Sequence, residues 1–208
     1  KVLLVSATEA EIAPFLGSSG NGGASRVSGH QVTTLITGVG MVATAFRMGM
    51  HLSSGRYDLA INTGIAGAFD RNLQIGAVFQ VSEDCFAELG AEDGDEFLPI
   101  DKLGFGESRI LPLTAQHPVP GWPSARAITV SRVHGNETTI YKTMSRLQPQ
   151  IESMEGAAFF YACNQVKLPS VQLRAVSNYV ERRNLSGWNI PLAVENLNAA
   201  IFTYLQKL

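Results

Sequence analysis

Cysteine is nearly absent from this 208-residue sequence: only Cys85 and Cys163 occur, far apart and outside any CxxC pair. That excludes a disulfide framework, a zinc knuckle and a thioredoxin-like dithiol, and both residues are expected as reduced, buried thiols. Long apolar runs are missing too. None approaches the ~20 residues that span a bilayer, and the opening KVLLVSATEAEI lacks the apolar region and small-residue cleavage site of a signal peptide. A cytoplasmic protein with no membrane partner is therefore expected. Neither sign of charge dominates: 16 Lys and Arg face 18 Asp and Glu, which leaves no basic footprint for nucleic acid. No aspartate cluster suggests metal-assisted hydrolysis. His30, His51, His117 and His134 have no ligand spacing and are expected as surface or satisfied core residues. What is present, 45% hydrophobic residues over a chain this long, suits one globular domain spanning residues 1–208 with a sizeable core.

Strand-like and helix-like stretches alternate along the chain. VLLV (2–5) reads as a strand, followed by helical spacing through EAEIAPFL to Gly17 and a Gly/Ser-rich turn over 17–25. HQVTTLIT (30–37) reads as a strand and GVGMVATAFRMGMHL as a glycine turn opening an apolar helix. YDLAINTGIAG (57–67) repeats the plan of buried strand and glycine turn. GAVFQVSEDCFAEL (76–89) is strand-like with no long helix before it, so the sheet is expected to be mixed. Residues 90–125, rich in glycine and proline, read as a long irregular loop or lid. Order returns with a strand over 125–133, a helix capped by Asn136 and ending near Leu147, and a strand at 150–154. The helix EGAAFFYACNQV, the strand SVQLRAVSN and an amphipathic helix from about Trp188 complete the chain. Such alternation predicts an α/β fold, a three-layer α/β/α sandwich on a central mixed sheet.

GVGMVA (38–43) satisfies the dinucleotide pattern GxGxxG/A, and Asp58 follows about 20 residues on. In that motif the acid ends the second strand, whereas Asp58 precedes the apolar run LAIN and so stands at its wrong end. No dinucleotide is expected. The glycines keep another use: they let the backbone approach a ligand and expose the N–H groups that begin a helix.

Four stretches place polar groups at the carboxyl ends of strands, where open α/β sheets bind ligands: SATEAEI (6–12), TGIAGAF (63–69), SMEGAA (153–158) and SNYVE (177–181). Singly, each has a plain explanation. Glu11 suits a solvated helix residue, Glu155 a helix N-terminus, and Asn178 a strand end bonded to its own backbone. Together they resemble the nucleoside phosphorylase/nucleosidase superfamily, and within it the nucleosidase branch. SATEAEI is similar to that family's Glu-bearing turn, TGVGMVAT and INTGIAGAF to its two glycine turns, SMEGAA to its ribose-binding segment and RAVSN to its base-binding strand. The resemblance covers nearly the whole chain. It implies Glu11 as the base that activates water, Ile65, Ala66 and Gly67 along the substrate, Met154 and Glu155 at the ribose, and Ser177 and Asn178 at a purine. It also implies a small-molecule purine nucleoside as partner, no cofactor or metal, and a homo-oligomer of two or more copies.

The chemistry needs these residue types. Breaking an N-glycosidic bond builds oxocarbenium character on ribose and negative charge on the departing base, so a carboxylate at the ribose hydroxyls favours the transition state. A second carboxylate on the attack face takes a proton from water, worth roughly 10²–10⁴ in rate. Adenosine-cleaving relatives carry an aspartic acid where Asn178 stands. An amide cannot deliver a proton, but its NH₂ can donate to N7 and O6 of a 6-oxopurine. The departure points to hypoxanthine, and GAEDGDEFLPIDKLGFGE and SNYVERRN look more like the futalosine-cleaving members of the branch than the adenosine-cleaving ones. Futalosine carries a carboxyphenyl ketone at its 5′ side, for which Arg182, with Arg183 beside it, is expected to supply a cation. Trp188 is expected to pack the last helix or to wall the purine. Three alternatives stay open: methylthioadenosine/S-adenosylhomocysteine nucleosidase, a phosphorylase, or a nucleoside-binding protein without catalysis. The first turn SATEAEI has no arginine for phosphate and Ile65 stands where a hydroxyl would help, so hydrolysis is favoured over phosphorolysis.

Overall fold

The computed structural model describes residues 1–19, 24–113 and 122–208. His117 and parts of the 17–25 and 90–125 segments lie outside the described residues. The elements in chain order are β1 (Val2–Ser6), a 3-10 turn at Ala10–Ile12, α1 (Ala13–Ser19), β2 (Ala24–Val27), β3 (His30–Ile36), α2 (Met41–Ser54), β4 (Leu59–Ala68) and β5 (Val78–Phe86). There follow β6 (Gly90–Asp93), β7 (Glu96–Pro99), β8 (Arg109–Ile110), β9 (Ser124–Thr129), α3 (Glu137–Leu147), β10 (Ile151–Ser153), α4 (Gly156–Gln165), β11 (Ser170–Tyr179) and α5 (Ile190–Gln206).

The central sheet runs β10-β9-β5-β11-β4-β1-β3-β2, with β8 added on β5. Strands β3, β1, β4 and β11 are parallel neighbours, and β5 lies antiparallel to β11. The sheet is thus mixed, as the missing helix before residue 76 predicts. β10 pairs with β9 and also, antiparallel, with Gly67 and Ala68 at the far end of β4, which closes that side of the sheet on itself. Leu4, Ile61 and Leu173 face α1 and α5, burying Phe15, Leu197 and Ile201. Leu3, Val5 and Ala60 alternate to the opposite face, against Met48 of α2 and Phe159, Phe160 and Cys163 of α4. Period-two alternation in buried parallel strands therefore builds both interlayer cores, and the three-layer sandwich follows. Both cysteines are free and buried, and burial pushes the Cys163 thiol up to about 12. No described helix is long and apolar enough to cross a membrane.

Several boundaries differ from the sequence reading. TGIAG is no turn: β4 continues through it to Ala68, because β11 pairs with it residue by residue. Helix α1 runs past Gly17 to Ser19, and β2 begins at Ala24 within the expected turn. In the expected irregular loop, Gly90–Asp93 and Glu96–Pro99 form a two-stranded hairpin and Arg109–Ile110 joins the main sheet. Asn136 caps α3 as expected, its side chain accepting from Thr138 N and Thr139 N.

Candidate active site

Glu11 stands in the 3-10 turn after β1 and is held by donors from three directions. Oε2 accepts from the Thr8 N–H at 3.0 Å and from the Ser6 and Thr8 hydroxyls at 3.1 Å each. Oε1 accepts from Ile65 N of β4 at 3.1 Å. Behind it, Asn198 of α5 donates to Glu11 O at 2.9 Å and accepts from Phe15 N at 3.0 Å, tying the turn to the helix layer. A carboxylate so held is half-buried and has a fixed direction, which suits a base and not a solvated helix residue.

Glu155 is held across the next crossover. It is buried, its Oε1 accepting from Gly40 N at 3.0 Å and its Oε2 from Met154 N at 3.3 Å. Gly40 precedes α2 with φ of 97°, a conformation L side chains rarely adopt, and so turns its N–H toward the carboxylate. The GVG stretch therefore serves an acid of the protein itself, and Asp58 precedes β4 as expected. Thr37 N and Gly38 N donate to Ser6 O and Ala7 O, so the Gly38–Gly40 turn lies against the turn that carries Glu11. The two carboxylates are thus supported by adjoining strand ends, β1 and β3.

Asn178 lies at a bulge. β11 pairs Val176 with Ala66 and Asn178 with Gly67, which leaves Ser177 as the extra residue. The Ser177 hydroxyl donates to Asn178 Oδ1 at 2.7 Å, and Nδ2 donates to Tyr179 O at 3.0 Å, so one amide hydrogen is left over. The strand-end reading of Asn178 is correct for these local bonds. The side chain also lines a cavity of about 130 Å³ with Gly67, His134, Glu152, Arg183 and Trp188. His134 is a satisfied histidine: Nδ1 lies 2.6 Å from Glu152 Oε2 and Nε2 2.9 Å from Thr143 Oγ1.

The remaining expected residues divide. Ile65 offers its N–H to Glu11, Ala66 O lies 3.2 Å from the Ser177 hydroxyl, and Gly67 faces Asn178. The Met154 side chain packs against the small core around Phe69 and Ile128. Arg182 is not brought to the cavity of Asn178. Beyond Val180 the chain leaves the sheet, and Arg182 turns into a separate groove with Glu137, Ile140, Tyr141 and Glu181, while Arg183 takes the place beside Asn178.

One residue of the site escapes sequence reasoning. Arg174 is 1% exposed in β11, its guanidinium bonded to Asn62 Oδ1 and, at 3.3 Å, to Gln172 Oε1. Gln172 donates to Asp84 Oδ2 at 3.1 Å and Thr129 donates to Asp84 Oδ1 at 2.8 Å. Arg174 also reaches the face of Gly64: a β-carbon there would collide with Nη1 and come within 2.9 Å of Glu11 Oε1. Burial pushes the Asp84 carboxyl up to about 6, against the pull of Thr129, Gln172 and Arg174. The available signal was Gln172 and Arg174 at alternate positions of an apolar strand.

Comparison with known proteins gives the family and the fold. Residues 4–206 match the phosphorylase superfamily. A futalosine hydrolase of Streptomyces coelicolor is 33% identical over 150 residues, which are 70% of this chain and 64% of that protein. A futalosine hydrolase of Thermus thermophilus is 30% identical over 175 residues, 80% of this chain and 78% of that protein. The crystal structure of a 5′-methylthioadenosine/S-adenosylhomocysteine nucleosidase from Colwellia psychrerythraea, in complex with adenine, has the same fold with a TM-score of 0.83 at 21% identity, covering 100% of this chain and 95% of that one. With the family's pattern running through all the strands described and relatives at 30% identity or more, this chain belongs to the phosphorylase superfamily.

Proposed function

We propose that this chain hydrolyses the N-glycosidic bond of a 5′-modified purine nucleoside, futalosine in preference to others, to give hypoxanthine and dehypoxanthine futalosine. The observation that carries the reading is Glu11, a carboxylate held by four donors at the carboxyl ends of β1 and β4, with Asn178 on the strand next to β4. Water enters between Glu11 and the anomeric carbon. Its proton passes to Glu11, its oxygen bonds to the sugar, and the bonding pair to the base leaves with the purine. Glu155, fixed by Gly40, accepts from the ribose hydroxyls and favours the positive charge on the sugar. Asn178 donates its remaining amide hydrogen to the purine's O6. Nothing basic in the first turn holds phosphate, and the buried Arg174 is already engaged by Asn62 and Gln172.

A nucleoside panel with and without phosphate, scored by free base, tests this. Base should be released without phosphate, in the presence of chelator, and faster from futalosine than from methylthioadenosine or inosine. A phosphate requirement with ribose 1-phosphate as product would replace hydrolysis by phosphorolysis, and no base from any nucleoside would leave a binding protein. Self-association belongs to the same reading. Val42, Phe46 and Met50 lie one turn apart along α2, Val42 85% and Phe46 64% exposed, and the helix starts at the Gly40 that holds Glu155. A second copy on that stripe would cover an apolar surface directly continuous with the site.

A further inference from the structure

We infer that Arg183 is a catalytic residue, one that stabilises the negative charge of the departing 6-oxopurine; the inference rests on the nucleosidase reading. Cleavage leaves the bonding pair of C1′–N9 on the purine, delocalised toward N7 and O6. Asn178 has no proton to give, so this charge needs either a cation or an acid from elsewhere. In the cavity that Asn178 lines, the structure places one guanidinium, that of Arg183.

Its surroundings leave that charge available. Two carboxylates share the cavity and each is already engaged: Glu181 by Arg71 at 2.6 Å, and Glu152 by His134 at 2.6 Å. Among the described residues no carboxylate lies within 4.0 Å of Arg183 in an ion pair. The side chain is steadied by an aromatic ring instead, its Cζ 5.3 Å from the centroid of Trp188. That contact holds the charge by a ring rather than by a carboxylate, which leaves the N–H donors of the guanidinium for a ligand. Two edge donors match the adjacent N7 and O6 acceptors of a 6-oxopurine, the geometry in which arginine reads that edge elsewhere. The proton balance is complete without an acid at the base. Water loses a proton to Glu11, and the purine anion, held by Arg183 and Asn178, takes one back from solvent as it leaves. Arg182 has no such place, since its groove contains Glu137 and Glu181 and excludes Asn178.

The test compares futalosine with its N7-methyl derivative, which leaves as a neutral base and so needs no cation. In wild type, Arg183→Met and Arg183→Lys, single-turnover release of base is followed on both substrates. Arg183→Met should lower the rate on futalosine by roughly 10²-fold while the N7-methyl substrate keeps its rate or gains, and Arg183→Lys should recover most of the loss. An equal loss on both substrates, which a merely structural role would give, overturns the assignment, as does no loss on either. Wild type that releases base from neither substrate overturns the nucleosidase reading together with this inference, whereas an active wild type with an indifferent Arg183 overturns the inference alone.

Discussion

Replacing Asn178 by aspartate changes one donor into an acceptor or an acid at the purine's N7 and O6. The variant is expected to cleave hypoxanthine nucleosides more slowly and to gain activity on the 6-amino analogue, both read by chromatography of the free base. Glu11→Gln keeps shape and removes the base. Its kcat should fall roughly 10²–10⁴-fold with little change in KM, and the melting temperature should show the fold intact. Asp84 has the opposite character, since it serves structure. Its pKa of about 6 lies above the unfolded value of 3.8, so the native state holds the proton more tightly. The sign follows: that stabilisation is complete at low pH and is lost as pH rises from about 4 to about 6. Measured against Asp84→Asn by urea titration, wild-type stability should decline across that window and level off above it. Glu11, Glu155 and Asn178 could be singled out in the sequence only together and through the family resemblance, since each alone has a plain local explanation. Arg174, Gln172, Asn62 and Asp84 could not, because a polar residue inside a strand reads as a solvated face until neighbouring strands bury it. The pairing of Gln172 with Asn62 is what brings that set together.

At the scale of elements, β4 does two jobs that its glycines make compatible. It runs as a central strand between β1 and β11, and at Gly64 it leaves room for Arg174 and Glu11 on one face. Gly64→Ala is expected to displace both side chains, with activity lost well before the fold is and a cost of about 1–3 kcal/mol in stability by thermal or urea melting. Helix α3 is a simpler case. Asn136→Ala removes the acceptor of two orphan N–H groups and should cost about 0.5–2 kcal/mol, measurable in the same titration. The start of α3 was readable for this reason: its cap is a local bond between residues two or three apart. The bulge that sets Asn178 at the cavity was not, because it exists only in register with Ala66 and Gly67.

For the whole molecule, the surface prediction concerns α2. If a second copy covers the Val42, Phe46 and Met50 stripe, Phe46→Glu should shift the sedimentation coefficient to that of a monomer, while the isolated chain keeps its helix content. A wild type that sediments as a monomer of 22.4 kDa overturns that assignment. The α/β class, the mixed sheet and the three layers were determined by the sequence alone, because alternation of apolar residues with periods of two and 3.6 is a local property. Glycine content alone misjudged the 90–125 segment, since Gly90–Asp93 becomes a strand only against Glu96–Pro99. The separation of Arg182 from Arg183 was decided only by the tertiary structure. The two are chemically alike and adjacent in sequence, and it is the path of the chain beyond β11, packed on the Gly135 loop, that sends one into the cavity of Asn178 and the other away from it.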